Sequence, residues 1–323
     1  MGNTSLLLCA CLAACTGRTA IFREDFSSDP AARGWDVFGG TNLFHWNATN
    51  GNLETTWDSA QANSYYLRRL DTVLTKADDF SLAFDLQLSD LAVGVNPDKP
   101  STFELALGFL NFADATNSNF ERGTGIDAAH GPRNLLEFDY FPDSGFGATI
   151  SPTMVSSNNA FAAGFDFPLE LTLGDTFHVA LTYSASNLTL STSMTRNGQP
   201  FGPVKNVTLG AAFTDFRLDT LAIASYSDAG ADGSLLAQGL LDNLEVTLPD
   251  PPIAALTGLW FGNDWHVEFA GRARWLYALE RTQDFRSWTS VSLLTPAWDG
   301  PAILSDTNPA GGQAFYRVRA ERP

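Results

Sequence analysis

Glu137 and Asp139 are the residues of this chain best placed to do chemistry. They lie in Leu135-Leu136-Glu137-Phe138-Asp139-Tyr140-Phe141, a short apolar run of strand character. Residues two apart in a strand share a face, so the two carboxyl groups converge. Neighbouring carboxyls either share a proton or bind a cation. Asp143 follows Pro142, where the chain turns. The competing reading is a solvated strand face bearing two unrelated acids.

Other catalytic patterns are missing. The histidines His45, His130, His178 and His266 lie in four different segments, and no His-Glu-x-x-His pair occurs. There is no Gly-x-Ser-x-Gly elbow and no glycine-rich loop ending in Lys-Ser or Lys-Thr. Cys9, Cys11 and Cys15 are the three cysteines, so nothing after Cys15 can form a disulfide or a thiolate zinc site. Asp228-Ala229-Gly230-Ala231-Asp232-Gly233 suggests a cation loop, but Gly230 and Gly239 stand where an EF-hand needs oxygen ligands. It reads as an acidic surface turn.

Aromatic side chains offer a second kind of site. Trp46, Trp57, Tyr65 and Tyr66 lie among Asn47, Asn50, Asn52, Gln61 and Asn63. A saccharide site uses that mixture, ring faces beside amide hydrogen bonds. Large aromatics are also the usual filling of a core.

The elements that must position these groups are strands. Phe80 to Leu88 alternates apolar and polar residues over nine positions. Thr176 to Tyr183 alternates too, Asn187 to Thr192 follows after a turn, and Leu241 to Val246 closes the series. Period two means one buried and one wetter face. Asn50-Gly51, Asn197-Gly198 and Asp232-Gly233 mark turns. No stretch shows helical periodicity with caps. The expected fold is all-β: a two-sheet antiparallel jelly-roll sandwich, followed by a small C-terminal β-sandwich.

Composition divides the chain. Residues 253–323 hold seven acids and seven bases, so the whole net charge of -17 lies in residues 1–252. Five of the eight tryptophans also fall after residue 252. Leu248-Pro249-Asp250-Pro251-Pro252 joins the two parts as a stiff linker. The expected organisation is a leader at 1–20, a jelly roll at 21–248, a linker at 249–252 and a small β-sandwich at 253–323. Trp275 or Trp288 should anchor the last core. With three lysines and this acidity, the chain lacks the basic patches that nucleic acid or an anionic membrane requires.

Leu6 to Ala14 reads LLLCACLAA, the size of a signal-peptide apolar region and too short to span a bilayer. Leu12-Ala13-Ala14-Cys15 resembles the bacterial lipobox, in which the cysteine becomes the lipidated first residue. Cleavage after Thr19-Ala20 without lipidation is the competing route. Both place the mature chain outside the cytoplasm, in the envelope or beyond, with contact to a membrane only through a lipid on Cys15.

Four segments in order resemble the concanavalin A-like and laminin-G-like jelly rolls across about residues 22–248. They are FREDFSSDPAARGWDVFGG with FHWNATNGNLETTW, LLEFDYFPDSG, DTFHVALTYSASNLTLSTSMTRNGQPF, and GLLDNLEVTLP. The resemblance to the legume-type lectins implies metal ligation by Glu137 and Asp139, with the backbone carbonyl of Phe141 and a side-chain oxygen of Asp143. Hard oxygen ligands of that kind suit Ca²⁺. The chain departs from the pattern at Ala148, where those lectins carry another aspartate, and no histidine follows at the required distance. Glu24, Asp25 and Asp242, on strands that pair in this superfamily, are a further place for a structural Ca²⁺.

The family-16 glycoside hydrolases share the superfamily and carry Glu-x-Asp-x-x-Glu on one strand. Here the run ends in Pro142, and proline cannot exchange protons. The tail from Tyr277 to Pro323 is similar to a small C-terminal β-module on secreted bacterial proteins. Three readings follow. The first is an exported, non-catalytic protein that binds a carbohydrate or another extracellular polymer, assisted by Ca²⁺. The second is a structural cell-surface or matrix protein. The third is a polysaccharide hydrolase or lyase with a nonstandard site.

Overall fold

The computed structural model describes residues 20–93, 105–120, 122, 132–143, 146–227, 235–249 and 252–322. Cys15, the leader and the Asp228–Gly233 turn lie outside the described residues. The chain forms one compact unit over Ile21–Leu248 and another over Pro249–Pro323. No helix among the described residues is long and apolar enough to cross a membrane.

The strands of the first unit form two sheets. The back sheet runs, in spatial order, Gln199–Phe201, Thr189–Arg196, Phe177–Ser184, Phe80–Val93, Leu235–Leu248, Asn52–Asp58 and Phe44–Asn47. Ala20–Glu24 also pairs with Leu235–Leu248, and Val207–Thr208 with Thr189–Arg196. The front sheet runs Phe161–Ala163, Thr149–Val155, Leu135–Phe141, Leu105–Leu110, Leu218–Ser225, Ser64–Leu74 and Trp35–Phe38. Its seven strands pair antiparallel throughout. Half of the neighbouring pairs on these two paths join strands distant in sequence, as a jelly roll requires.

The back sheet obeys the alternation read from its sequence. Phe80, Leu82, Phe84, Leu86 and Leu88 are buried, while Ser81, Ala83, Asp85 and Gln87 between them are half-buried. The inward rings meet those of the front sheet: Phe84 stands edge-on to Phe138 at 5.7 Å, and Phe80 to Phe109 at 5.4 Å.

The front sheet does not have the wetter face that period two led us to expect. Every residue of Leu105–Leu110 and of Thr149–Val155 is buried. One side, with Leu107, Phe109, Leu136, Phe138 and Met154, packs into the inter-sheet core. The other side, with Tyr65, Leu67, Leu110, Leu135 and Val155, joins Ala115, Phe120 and Tyr226 in a second cluster. The short helix Phe112–Ala115 and the chain beyond it roof that face. Apolar residues on both faces make a two-sided burial the favourable state.

Small residues make the roof fit. Along one row Leu67, Ala222, Gly108, Glu137 and Thr153 lie side by side, and along the next Tyr65, Ala224, Ala106, Asp139 and Ser151. Ala222, Gly108, Ala224 and Ala106 open a trough between the tyrosine and the two acids. A Cβ at Gly108 would stand 2.1 Å from the Leu136 carbonyl oxygen and 2.6 Å from the Glu137 Cα.

The second unit packs a sheet of Ile253–Phe261, Asp264–Gly271 and Gly300–Asp306 with one of Thr289–Leu294, Leu276–Thr282 and Phe315–Glu321. Trp265, Phe269, Trp275, Tyr277 and Leu304 fill its core. Trp275 is an anchor, whereas Trp288 lies partly exposed beneath Arg317, 4.1 Å from its ring. Glu280 is buried and held by Arg317 at 2.7 Å and Arg319 at 2.8 Å.

Replacing Gly108 with alanine should force the two central front strands apart and cost about 1–3 kcal/mol. Gly210→Ala, where the added methyl meets nothing within 4 Å, should change stability by less than about 0.5 kcal/mol. Urea unfolding of both variants followed by circular dichroism checks the pair.

Candidate functional site

Glu137 and Asp139 do share a face, as their spacing requires. That face is the roofed side of the front sheet, so neither acid is solvated: Glu137 is 2% exposed and Asp139 0%. An unpaired buried carboxylate is costly, and it must be neutralised or bonded. Three groups do so here.

Arg122 reaches over the trough from the roof. Its guanidinium donates to Asp139 Oδ2 at 2.8 Å and approaches Glu137 Oε2 at 3.5 Å. Arg122 is itself 5% exposed, and its guanidinium lies 6.0 Å from the centre of the Tyr226 ring. Tyr226 follows the Leu218–Ser225 strand and folds back over the small residues, donating its hydroxyl to Glu137 Oε1. The Tyr226 ring stands edge-on to Tyr65 at 6.0 Å. Tyr65 spends its own hydroxyl on the Ala115 carbonyl at 3.0 Å.

Burial and the neighbouring Asp139 raise the Glu137 carboxyl from 4.5 to about 8. Burial also raises Asp139, and the Arg122 guanidinium opposes that rise. At neutral pH Glu137 therefore holds a proton, and the Arg122 guanidinium favours the ionised form of Asp139. Burial pushes the Tyr226 hydroxyl well above its usual range, so it remains a donor.

The lectin-like reading placed a Ca²⁺ on this strand. Glu137 and Asp139 are instead engaged by Arg122; Phe141 is half-buried and Asp143 sits at the exposed turn. A divalent ion at the two acids would lie within a few ångströms of a guanidinium that cannot lose its charge. The two acids, engaged in this way, do not offer a site that fits a metal. At the second proposed cation site, Glu24 is already engaged by the protein. Glu24 is fully buried and satisfied by Arg33, by the Trp35 indole at 2.9 Å and by the Phe26 amide at 2.7 Å.

The four aromatic candidates are also placed differently from the expectation. Trp57, Tyr65 and Tyr66 are buried in the cores, and Tyr66 stacks on Trp35 at 4.9 Å. Trp46 is half-buried against the core and donates its indole N–H to the Phe26 carbonyl at 2.8 Å. Tyr66 faces the inter-sheet core and its neighbour Tyr65 the roofed side, and both faces are covered by protein.

The exposed rings lie elsewhere. Phe146 is 74% exposed, Phe167 51%, Phe165 49% and Phe161 42%. The segment 161–169 runs along the Thr149–Val155 strand and closes the edge of the front sheet. Its links are the register of Phe161 to Val155, the Gly164 amide to the Pro152 carbonyl, and the Ile150–Asp166 bridge. Asp166 turns inward, where it accepts from the Lys205 amide at 2.7 Å. Phe165 and Phe167 on either side therefore turn outward. Phe146 stacks on Phe167 at 5.5 Å, and Phe161 tilts towards Phe165 at 6.4 Å. The result is a pinned rim of phenyl rings at one edge of the sheet.

Sequence reasoning missed Arg122, Tyr226 and this rim. A lone base between Lys99 and Arg133, set in an acidic region, was the one trace of Arg122. The spacing Phe161, Phe165, Phe167 around an aspartate was the trace of the rim.

No family model matches the chain, and no curated protein matches it. Solved structures similar to it are legume lectins. A peanut lectin bound to a nine-residue peptide is 13% identical, with 72% of this chain and 98% of that chain covered and a TM-score of 0.45. Lectin II from Ulex europaeus is 12% identical, with 71% and 98% covered and a TM-score of 0.47. Winged bean acidic lectin with methyl-alpha-D-galactose is 13% identical, with 72% and 100% covered and a TM-score of 0.43.

The proton on Glu137 sets a pH dependence. The unfolded chain releases it near 4.5 and the folded chain near about 8. Between those values the folded state binds more protons, so this stabilising contribution is whole below the window and is lost as pH rises through it. The urea midpoint of the wild type should fall across that window more steeply than that of Glu137→Gln. Parallel slopes would refute the assignment of the proton.

Proposed function

We propose that residues 21–248 form a non-catalytic module that binds a carbohydrate or another extracellular polymer through the phenylalanine rim. The carrying observation is the division of roles on the front sheet. Its acids are sealed and paired, while Phe146, Phe161, Phe165 and Phe167 stand exposed at one edge. A glycosidase acid and nucleophile must touch the bond they cleave; Glu137 and Asp139 lie beneath Arg122 and Tyr226 instead. Exposed aromatic rings that do not collapse into a core mark a contact surface. Their flat faces suit the C–H faces of sugar rings, with Lys205, Glu170 and Asn158 among the polar residues of the same unit that can serve hydroxyl groups.

The leader motif supports export of this module, with a lipid on Cys15 as its membrane attachment. Metabolic labelling with an alkyne fatty acid should mark the wild type and not Cys15→Ser.

A second reading has support from the same rim. Four exposed phenyl rings form an apolar patch of the kind that joins two proteins, which fits a structural surface or matrix role. Pull-down on insoluble cellulose, chitin and xylan, together with affinity electrophoresis in soluble glycans, separates the two. Binding should weaken by about tenfold or more in Phe146→Ser/Phe167→Ser, with an unchanged melting temperature. Loss of self-association in that variant, with no glycan bound by either protein, would favour the structural role and refute the carbohydrate reading.

A further inference from the structure

We propose that Arg122 is a built-in cation that holds the front face together where a bound divalent metal would otherwise be needed. The inference does not depend on what the phenylalanine rim binds. Two acids placed two residues apart on a covered strand call for positive charge within hydrogen-bond reach, and Arg122 supplies it. The Arg122 guanidinium lies 2.8 Å from Asp139 and 3.5 Å from Glu137, and all three side chains are at most 5% exposed. Tyr226 fills the remaining side by donating to Glu137. Among the described residues no set of three or more His, Cys, Asp or Glu side chains is arranged to hold a metal.

Geometry distinguishes the two kinds of cation. Ca²⁺ asks for six to eight oxygens around a point charge. A guanidinium asks for a planar slot with acceptors at its edge and a ring beside it. The trough over Ala106, Gly108, Ala222 and Ala224 is such a slot, walled by Tyr226 and Tyr65. Gly108 is decisive there, because any side chain at that position would collide with the backbone beneath Glu137. A guanidinium tethered to the chain cannot be chelated, diluted or exchanged. The front face therefore assembles by folding alone.

The test is thermal unfolding of the mature full-length chain in EDTA and in millimolar CaCl₂. The wild type should melt at the same temperature in both, within about 1 °C. Removing one partner of a buried ion pair is strongly destabilising, so Arg122→Ala in EDTA should melt lower by roughly 10 °C. Millimolar Ca²⁺ or methylguanidinium should restore part of that loss by entering the space left by the side chain. Arg122→Lys, which keeps a charge but not the planar fork, should fall between; it also decides the matter if the alanine variant does not fold. A Ca²⁺-dependent gain of several degrees in the wild type that disappears in Asp139→Asn would overturn the proposal. So would an Arg122→Ala protein as stable as the wild type. A Ca²⁺ gain that persists in Asp139→Asn places the ion elsewhere and leaves the proposal standing, given the loss in Arg122→Ala.

Discussion

Two carboxyl groups lie side by side on a sheet face that the chain closes to water, and much of the first unit is arranged around that fact. Burial of charge is tolerated when it is paired and hydrogen-bonded, and it is destabilising otherwise. Glu137 keeps a proton, Asp139 takes the Arg122 guanidinium, and Tyr226 supplies the remaining donor. Each of these needs space beside the acids. Ala106, Gly108, Ala222 and Ala224 leave that space, and Ala115 and Phe120 close it. The polar cluster thus specifies where the roof sits, which an entirely apolar face would do less sharply.

Sealing that face changes which part of the sheet can meet a ligand. With the centre of the front sheet covered, the exposed surface shifts to its edge, where segment 161–169 is bound strand-like to Thr149–Val155. The inward Asp166, tied to the Lys205 amide, directs the flanking phenyl rings outward and keeps them there. A pinned rim loses little conformational freedom when something docks on it. The same economy of position appears in the second unit, where buried Glu280 is held by two arginines from the adjacent strand.

The sequence resemblance at Leu135–Gly145 suggested a metal at the two acids, and the chain's own residues supply another cation there. The two acids share one face of a covered strand. The countercharge comes from a different part of the chain. A side-chain cation seventeen residues from Asp139 in sequence does the work that a ligand set of several oxygens would do. Position on a fold and chemistry at that position are separable properties.

Much of the architecture was legible in the residues. Alternation over Phe80–Leu88, the turn dipeptides and the lack of helical periodicity gave strands, because a strand reports its two environments at every second residue. The spacing of Glu137 and Asp139 placed them on one face for the same local reason. What lay above that face could not be read, since coverage by residues 111–120 and Arg122 is a contact across loops and distant strands rather than a pattern within one strand. Period two looks alike whether the second face meets water or a roof. Thus Arg122 and Tyr226, 15 and 89 residues from Glu137 in sequence, were found only in three dimensions. Trp57, Tyr65 and Tyr66 went inward and Phe146, Phe161, Phe165 and Phe167 outward for a related reason. Residue type sets the affinity of a ring for a core, but strand register decides which rings the core has room to take.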